Sequence, residues 1–293
     1  MYDASTCLVI NMKVNLLDVE LVEKLQRAAA KAKPVGAVVA KLTSATLSGL
    51  VEYGCVRVIH PGMPQLPSPI VNSEMGRAFA EVCSPIGLRA NGSQKLAPTL
   101  MTSQPYEFII LAKDEGTTAS RWTEFSSRFV LSSTKIGFVR KQSLGISVAM
   151  QEMADNAVIH SESSTGILVG YQAVENYVAC VIADMGIGVL ASLRTNERYQ
   201  HLATHADAIK TALKPGESRY GFGKGGTGFA TVFKYAAEAR GTLRFRSGEA
   251  SVSLDGQDEH TDRAINGSVA FRPGFQVSIC CRSSDRPAGE NLI

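Results

Sequence analysis

The chain has 293 residues, of which 45% are hydrophobic and 19% charged, and its formal net charge is +3. This length allows about two domains, each able to bury a core. Acids and bases are interspersed and no apolar run is long enough to span a membrane, so we expect a cytoplasmic protein that binds neither nucleic acid nor membrane.

The first hundred residues predict a small α/β domain. Its expected strands and helices alternate in the order strand 7–14, helix 19–32, strand 35–42, strand 56–59 and helix 73–82. A polar stretch at 91–105 would connect it to the rest, so we place domains at 1–105 and 106–293. The alternation is loosely similar to STAS domains, which would make this half an interaction or regulatory module.

Two helices are predicted next, at 118–132 and 141–160. The second has an apolar stripe and a candidate start cap at Ser143. Glu152 and Asn156 lie one turn apart on it and share a face. A carboxylate that polarises water and an amide oxygen that ligates Mg²⁺ could therefore enter one cavity. Alone, the pair is more typical of a solvated helix face.

A β-hairpin should follow, with strands at 167–171 and 177–183 and a turn at Glu175 and Asn176. Asp184 then falls at a strand end, where its carboxylate could accept a hydrogen bond from an exocyclic amine. Gly186 and Gly188 would let a flat base approach the backbone. The alternative is a tight turn capped by the aspartate.

A glycine-rich loop precedes a third predicted helix. Gly226, Thr227 and Gly228 lie at its amino end, where backbone N–H groups and the helix dipole bind anions. Lys224 is close enough in sequence to add a charge on a terminal phosphate. A Walker A loop is excluded because Gly225 follows this lysine, and a Rossmann loop is excluded because a polar loop precedes the glycines.

Three motifs in this order resemble the GHKL (histidine kinase-like) ATPases: Glu152-x-x-x-Asn156, Asp184-x-Gly186-x-Gly188 and Gly226-x-Gly228. The resemblance covers roughly 108–282, and residues 155–160 are most similar to the anti-sigma-factor serine kinase branch. Two departures are Ala230, where many members have glycine, and Gly274-Phe275, where threonine is frequent.

The resemblance assigns a role to each motif. Glu152 would activate water, Asn156 would bind Mg²⁺, and Asp184 would recognise adenine. Gly226 and Gly228 would lie along the phosphates of ATP, and residues 189–220 would form a mobile lid. His160 is the nearest candidate phosphoacceptor, although we expect it to be a structural residue at the helix end.

The implied fold is α+β: a C-terminal two-layer sandwich with a mixed, Bergerat-type sheet and helices on one face, plus the smaller N-terminal α/β domain. Further strands are expected at 243–246, 251–254, 268–271 and 276–281, with a surface loop at 255–266. Six cysteines lack metal-ligand spacing and are expected to be reduced, with Cys280 and Cys281 on opposite sheet faces.

Three functions are compatible with these motifs. The first is a Mg²⁺-dependent ATPase or protein kinase in bacterial-type signalling, with a protein partner or phosphoacceptor. The second is a non-catalytic ATP sensor whose lid closure controls partner binding. The third is an interaction module with an empty ATP pocket. The sequence leaves the partner open, including a second copy of the chain in a homodimer.

Overall fold

A computed structural model describes residues 15–84, 87–90, 102–114, 116–214, 216–217, 228–239, 241–255, 265–266 and 268–283. Within these ranges the protein is α+β, as predicted. Its centre is a seven-stranded sheet, and helices pack on both faces.

The N-terminal part is mostly helical. In chain order its elements are β1 (Leu16–Leu17), α1 (Val19–Ala30), α2 (Gly36–Val39), β2 (Ser44–Ala45), α3 (Leu47–Ile59), α4 (Ser68–Val71), α5 (Glu74–Val82), β3 (Cys83–Ser84) and β4 (Gly87–Ala90). The strands β1 and β2 pair in parallel, and β3 and β4 form a separate antiparallel pair.

The large sheet and its helices come from the second part. In chain order these elements are β5 (Tyr106–Leu111), α6 (Ser120–Lys135), α7 (Arg140–His160), β6 (Ile167–Val174), β7 (Tyr177–Ala183), α8 (Gly188–Arg194), α9 (His205–Ala212), α10 (Gly228–Glu238), β8 (Thr242–Gly248), β9 (Ala250–Asp255), β10 (Ile265–Asn266) and β11 (Arg272–Arg282). Short 3₁₀ turns lie at Gly116–Thr118 and Glu197–Tyr199.

The strand order in the large sheet is β10-β9-β8-β11-β7-β6-β5, and every pairing is antiparallel. The prediction of a mixed sheet is therefore wrong for the described strands. β11 lies between β8 and β7, with Val277 opposite Phe245 on one side and Ile182 on the other.

The predicted hairpin is confirmed as β6 and β7. Glu175 and Asn176 form its turn, with φ of 45° and 57°, the left-handed conformation that two-residue hairpin turns require. β7 is apolar throughout because both of its sides are buried. Cys180 and Ile182 face one core, whereas Ala179 and Val181 face the other.

Each face of the sheet has its own core. One face packs against α6, α7 and α10 through side chains such as Phe125, Phe129 and Met153. The other packs against α1, α3 and α5 through side chains such as Leu50 and Tyr53. The helices of residues 106–293 that pack on the sheet thus lie on one face, as predicted for that part, and the N-terminal helices cover the second face.

Several N-terminal predictions are corrected. The helices expected at 19–32 and 73–82 are confirmed as α1 and α5, which begin after side-chain caps at Asp18 and Ser73. The strand expected at 35–42 contains α2, and that at 56–59 is the end of α3. In α3 every residue from 49 to 56 is buried, so its sequence lacks the polar face that identifies a helix.

Other predictions differ in detail. Helix α7 begins at Arg140, and Ser143 is a buried residue within it and not its cap. Residues 268–271 are described but form no strand. Cys281 and Cys280 do lie in opposite cores, as predicted. The strand expected at 7–14 and most of the connection at 91–105 lie outside the described residues.

Candidate functional site

A cavity of about 100 Å³ opens to solvent between α7, the carboxyl end of β7 and the helices α8 to α10. Six polar residues line it: Asn156, His160, Ser161, Asp184, Ser192 and Glu217. Its apolar wall is formed mainly by Val189, Leu193, Ala212, Phe229 and Phe275. A pocket with an apolar wall and a few polar groups is typical of a small-molecule site.

Asp184 directly follows β7 and is 1% exposed. Its Oδ1 accepts a hydrogen bond from the N–H of Gly186 at 2.8 Å, and its own N–H donates to the carbonyl of Phe275 at 2.9 Å. Burial raises the pKa of this carboxyl to about 6, against the opposing effects of the Gly186 N–H and the Arg272 guanidinium. The carboxyl group keeps acceptor capacity for a ligand donor.

Gly186 packs against the end of α7. A Cβ at Gly186 would lie 1.8 Å from the carbonyl oxygen of Ser161, which also accepts a hydrogen bond from Ile187 N–H at 2.7 Å. The space where a side chain of Gly186 would lie is therefore occupied by the end of α7. Approach of a base to this backbone stays a prediction. Gly188 has φ of +74° and borders the cavity at the start of α8.

Asn156 borders the cavity, whereas Glu152 is not among the residues that line it. Residues 145, 149, 152 and 156 form one stripe of α7. Gly145 packs on the ring of Tyr235 in the second half of α10, and a Cβ there would lie 2.3 Å from Cδ1. The first turn of α10 reaches the cavity beside Asn156 through Phe229.

These contacts show that α7 and α10 run antiparallel. Helical geometry would place the turn that carries Glu152, which lies between Gly145 and Asn156 on this stripe, toward the first half of α10. Gly228 is the first residue of α10. Lys224, Gly226 and Thr227 lie outside the described residues.

Sequence reasoning missed the aromatic wall of the cavity. Phe229 and Phe275 both contact the ring of Phe245, with centroid distances of 5.2 and 6.1 Å. The signal for Phe275 was its position in the GHKL-like pattern that the sequence resembles, where threonine is frequent. Phe229 was predicted only as part of the apolar stripe of a helix. Phe275 and Phe245 meet because β11 and β8 are neighbours in the sheet, and Phe229 reaches them from α10.

Residues 189–214 of the predicted lid are folded. They contain α8, the turn at Glu197–Tyr199 and α9, which share a small core of Leu190, Leu193, Tyr199, Leu202 and Ala208. The hydroxyl of Tyr199 donates to Glu217, which also accepts from Arg198 at 3.2 Å. Glu217 is thereby held at the rim of the cavity. Movement of this segment stays a prediction.

The described residues contain no group of three or more His, Cys, Asp or Glu side chains arranged to hold a metal. Asn156 offers one amide oxygen at the cavity, which suits Mg²⁺ because this ion binds few protein ligands and completes its shell with phosphate and water. None of the described helices combines the length and apolar character needed to cross a membrane.

Neither protein-family models nor curated proteins give a match to this chain.

Proposed function

We propose that this protein binds ATP with Mg²⁺ in the cavity between α7, β7 and α10, as a GHKL-type ATPase or protein kinase. One observation carries the proposal. Asn156 and Asp184, which belong to separate motifs, border the same cavity, and the first turn of α10 reaches it too. Asn156 and Asp184 are therefore close enough for one ligand in this cavity to contact both.

The purine would occupy the end of the cavity near Asp184. Its exocyclic amine can donate to the buried carboxylate, which is a strong acceptor when ionised. Phe229 and Phe275 supply apolar surface for the ring. Oδ1 of Asp184 already accepts a hydrogen bond from the N–H of Gly186, so the base needs to donate only one further hydrogen bond to this carboxylate. The exocyclic amine of adenine can donate it.

The phosphates would lie toward the amino end of α10. Free N–H groups at a helix start bind anions, and Gly228 begins this helix. Bound Mg²⁺ would neutralise phosphate charge, and the amide oxygen of Asn156 would hold it. Glu152 would orient the attacking water or the acceptor hydroxyl of a partner protein.

A second function, ATP sensing without turnover, is favoured by one observation. Glu152 is not among the residues that line the cavity, although Asn156 one turn away is. In that case nucleotide binding would act through residues 189–214, which border the cavity on α8 and α9 and could present a different surface to a partner.

Nucleotide binding is tested by thermal unfolding with ATP and Mg²⁺. Binding at one hundred times Kd should stabilise the protein by about 2.7 kcal/mol, and Asp184→Asn should weaken this effect. An unchanged melting temperature at millimolar ATP would remove the proposal. Terminally labelled ATP then separates turnover from sensing. Released phosphate or labelled protein that disappears in Glu152→Ala supports an enzyme, and its absence in the wild type supports the sensor.

A further inference from the structure

Residues 268–271, which we call the strap, lead into β11 and lie against α1 of the N-terminal part. Oε1 of Glu23 accepts a hydrogen bond from the N–H of Ala270 at 2.6 Å. Almost one turn further along α1, Nε2 of Gln26 donates to the carbonyl of Phe271 at 2.7 Å. Residues three apart on a helix share a face, so this face of α1 binds the main chain of the strap.

The first half of the strap is held as well. Arg27 of α1 donates to the carbonyl of Ser268. The N–H of Val269 donates to the carbonyl of Glu249, in the turn between β8 and β9, at 2.9 Å. Each strap residue therefore has a main-chain group bound by another part of the chain, which fixes the position of the strap through its backbone.

Gln26 is the central contact of the strap. This side chain is 1% exposed, and its Oε1 accepts a hydrogen bond from Nη2 of Arg246 on β8 at 3.0 Å. The same Nη2 donates to the carbonyl of Ala270 at 2.6 Å. Because a guanidinium only donates and a carbonyl only accepts, one orientation of the Gln26 amide satisfies both of its partners. Gln26 thus joins α1, the sheet and the strap.

A stiff link connects the strap to the cavity. Only Arg272 and Pro273 separate the strap from Gly274. Proline fixes its own φ and restricts the residue before it, so this link has little freedom to absorb a displacement of the strap. Arg272 pairs with Gly248 and the next paired residue of β11 is Phe275, so the strand is bulged between them.

The bulged part of β11 contacts Asp184 directly. A Cβ on Gly274 would lie 2.8 Å from Oδ1 of Asp184. The carbonyl of Phe275 accepts the hydrogen bond from the N–H of Asp184, and the side chain of Phe275 borders the cavity. The position of the strap therefore bears on the residues that would hold the purine.

The strap also contacts α9, which belongs to the predicted lid. The ring centroid of Phe271 lies 5.9 Å from that of His205, the first residue of α9. The last residue of this helix, Ala212, borders the cavity. The strap is thus in contact with the N-terminal helices on one side and with the lid on the other.

We propose that the strap couples the N-terminal helices to the nucleotide cavity, with Gln26 as the positioning residue that holds it. A partner that moves α1 would change the cavity through the strap, and a nucleotide that moves α9 would change α1, because coupling between two sites is reciprocal. The role in nucleotide binding rests on the proposed function, whereas the coupling of α1 to Asp184 belongs to the unliganded protein.

The test measures amide hydrogen exchange in the unliganded full chain, and ATP affinity beside it. Gln26→Leu removes the hydrogen bonds to the strap and to Arg246 with a side chain of similar size. The amide of Asp184 should then exchange faster by about tenfold or more relative to the amides of residues 178–182. ATP affinity should fall by roughly fivefold or more.

Leu25→Val is the matched control. Leu25 precedes Gln26 on α1 and is 3% exposed in the core of the N-terminal helices. Its shortening weakens the packing of α1 but removes none of the hydrogen bonds to the strap. Exchange at Asp184 and at residues 178–182 should therefore change by the same factor, with ATP affinity unchanged.

Two exchange results would overturn the proposal. One is an Asp184 amide that changes only in proportion to residues 178–182 in Gln26→Leu, and the other is a selective change of equal size in Leu25→Val. If Gln26→Leu does not fold, Glu23→Ala replaces it. This variant removes the acceptor of the Ala270 N–H, and the same selective exchange and loss of affinity are expected.

ATP affinity separates this inference from the proposed function. Faster exchange at Asp184 with unchanged ATP affinity contradicts the positioning role. A wild type that binds no ATP, with the selective exchange present, refutes the nucleotide function and supports the coupling alone. A wild type that binds ATP, with no selective exchange in Gln26→Leu, overturns the coupling and leaves the nucleotide function in place.

Discussion

Gly274 and Asp184 are in direct backbone contact: a Cβ on Gly274 would lie 2.1 Å from the carbonyl oxygen of Asp184. Gly274 also has φ of +79°, where a side chain is strained. We expect Gly274→Ala to lower the free energy of unfolding by roughly 2 kcal/mol or more and to weaken ATP binding, since the carboxyl group must move.

Urea unfolding and nucleotide titration check this prediction. Gly62→Ala is the control, because no heavy atom lies within 4 Å of a Cβ built there. Gly62→Ala should leave both the free energy of unfolding and the affinity for ATP unchanged. Wild-type stability and affinity in Gly274→Ala would show that close packing at Gly274 does not hold Asp184 in place.

Asp184 should make the protein less stable at neutral pH than at acid pH. Burial raises its pKa from 3.8 to about 6, so the folded state binds the proton more tightly than the unfolded state. Stability from this group therefore falls as pH rises from about 4 to 6, by on the order of 3 kcal/mol in total. Asp184→Asn removes that dependence.

Calorimetry at pH 4.5 and pH 8 measures the effect. The melting temperature of Asp184→Asn relative to wild type should be higher at pH 8 than at pH 4.5. A constant difference at the two values would mean that this carboxyl group is not protonated more readily in the folded state.

Asn156→Ala should change the dependence of ATP binding on Mg²⁺. With the amide oxygen gone, we expect affinity to fall roughly tenfold in Mg²⁺, equivalent to about 1.4 kcal/mol, and to change little in EDTA. Gln151→Ala, at an exposed position of the same helix, is the control. Equal losses with and without Mg²⁺ would assign Asn156 to nucleotide contact instead of metal binding.

Glu52→Gln tests how the N-terminal helices are attached. Glu52 is fully buried and contacts both Arg244 and Arg246. Its loss leaves these guanidinium groups short of a counter-charge, so we expect a destabilisation of roughly 3 kcal/mol. Glu81→Gln, on the exposed side of α5, should have almost no effect.

Circular dichroism during urea unfolding measures the number and the midpoints of the unfolding transitions of Glu52→Gln. One transition that moves as a whole would mean that residues 1–105 and 106–293 unfold together. Two transitions, of which one is unchanged, would instead support independent domains with the predicted boundary.

The parts of the fold that the sequence predicts well depend on local signals. The hairpin of β6 and β7 combines alternating strand residues with turn residues. Helix α7 is a long stretch without proline in which apolar residues recur at helical spacing. Helix α3 was missed because it is buried on all sides, and burial depends on distant segments. A local pattern cannot reveal such burial.

The residues of the candidate site also fall into those that local sequence signals predict and those that they do not. Asn156 and Asp184 were found through their motifs, and they do border one cavity. Phe275 lies on β11, far along the chain, and reaches Asp184 only because β11 pairs with β7; its carbonyl accepts a hydrogen bond from the N–H of Asp184. A phenylalanine within a strand gives no hint of the cavity that it borders, so this part of the site follows only from the folded structure.

The central position of β11 also bears on biosynthesis. This strand is made after β7 and β8, yet it separates them in the sheet. While the ribosome is still translating residues 272–282, β7 has an unpaired edge in its hairpin with β6. The arginines of β8 are not yet enclosed, because β11 is missing beside them. The nascent polypeptide therefore carries exposed strand backbone until β11 has been made, and a chaperone that shields such edges would be of most use before that point.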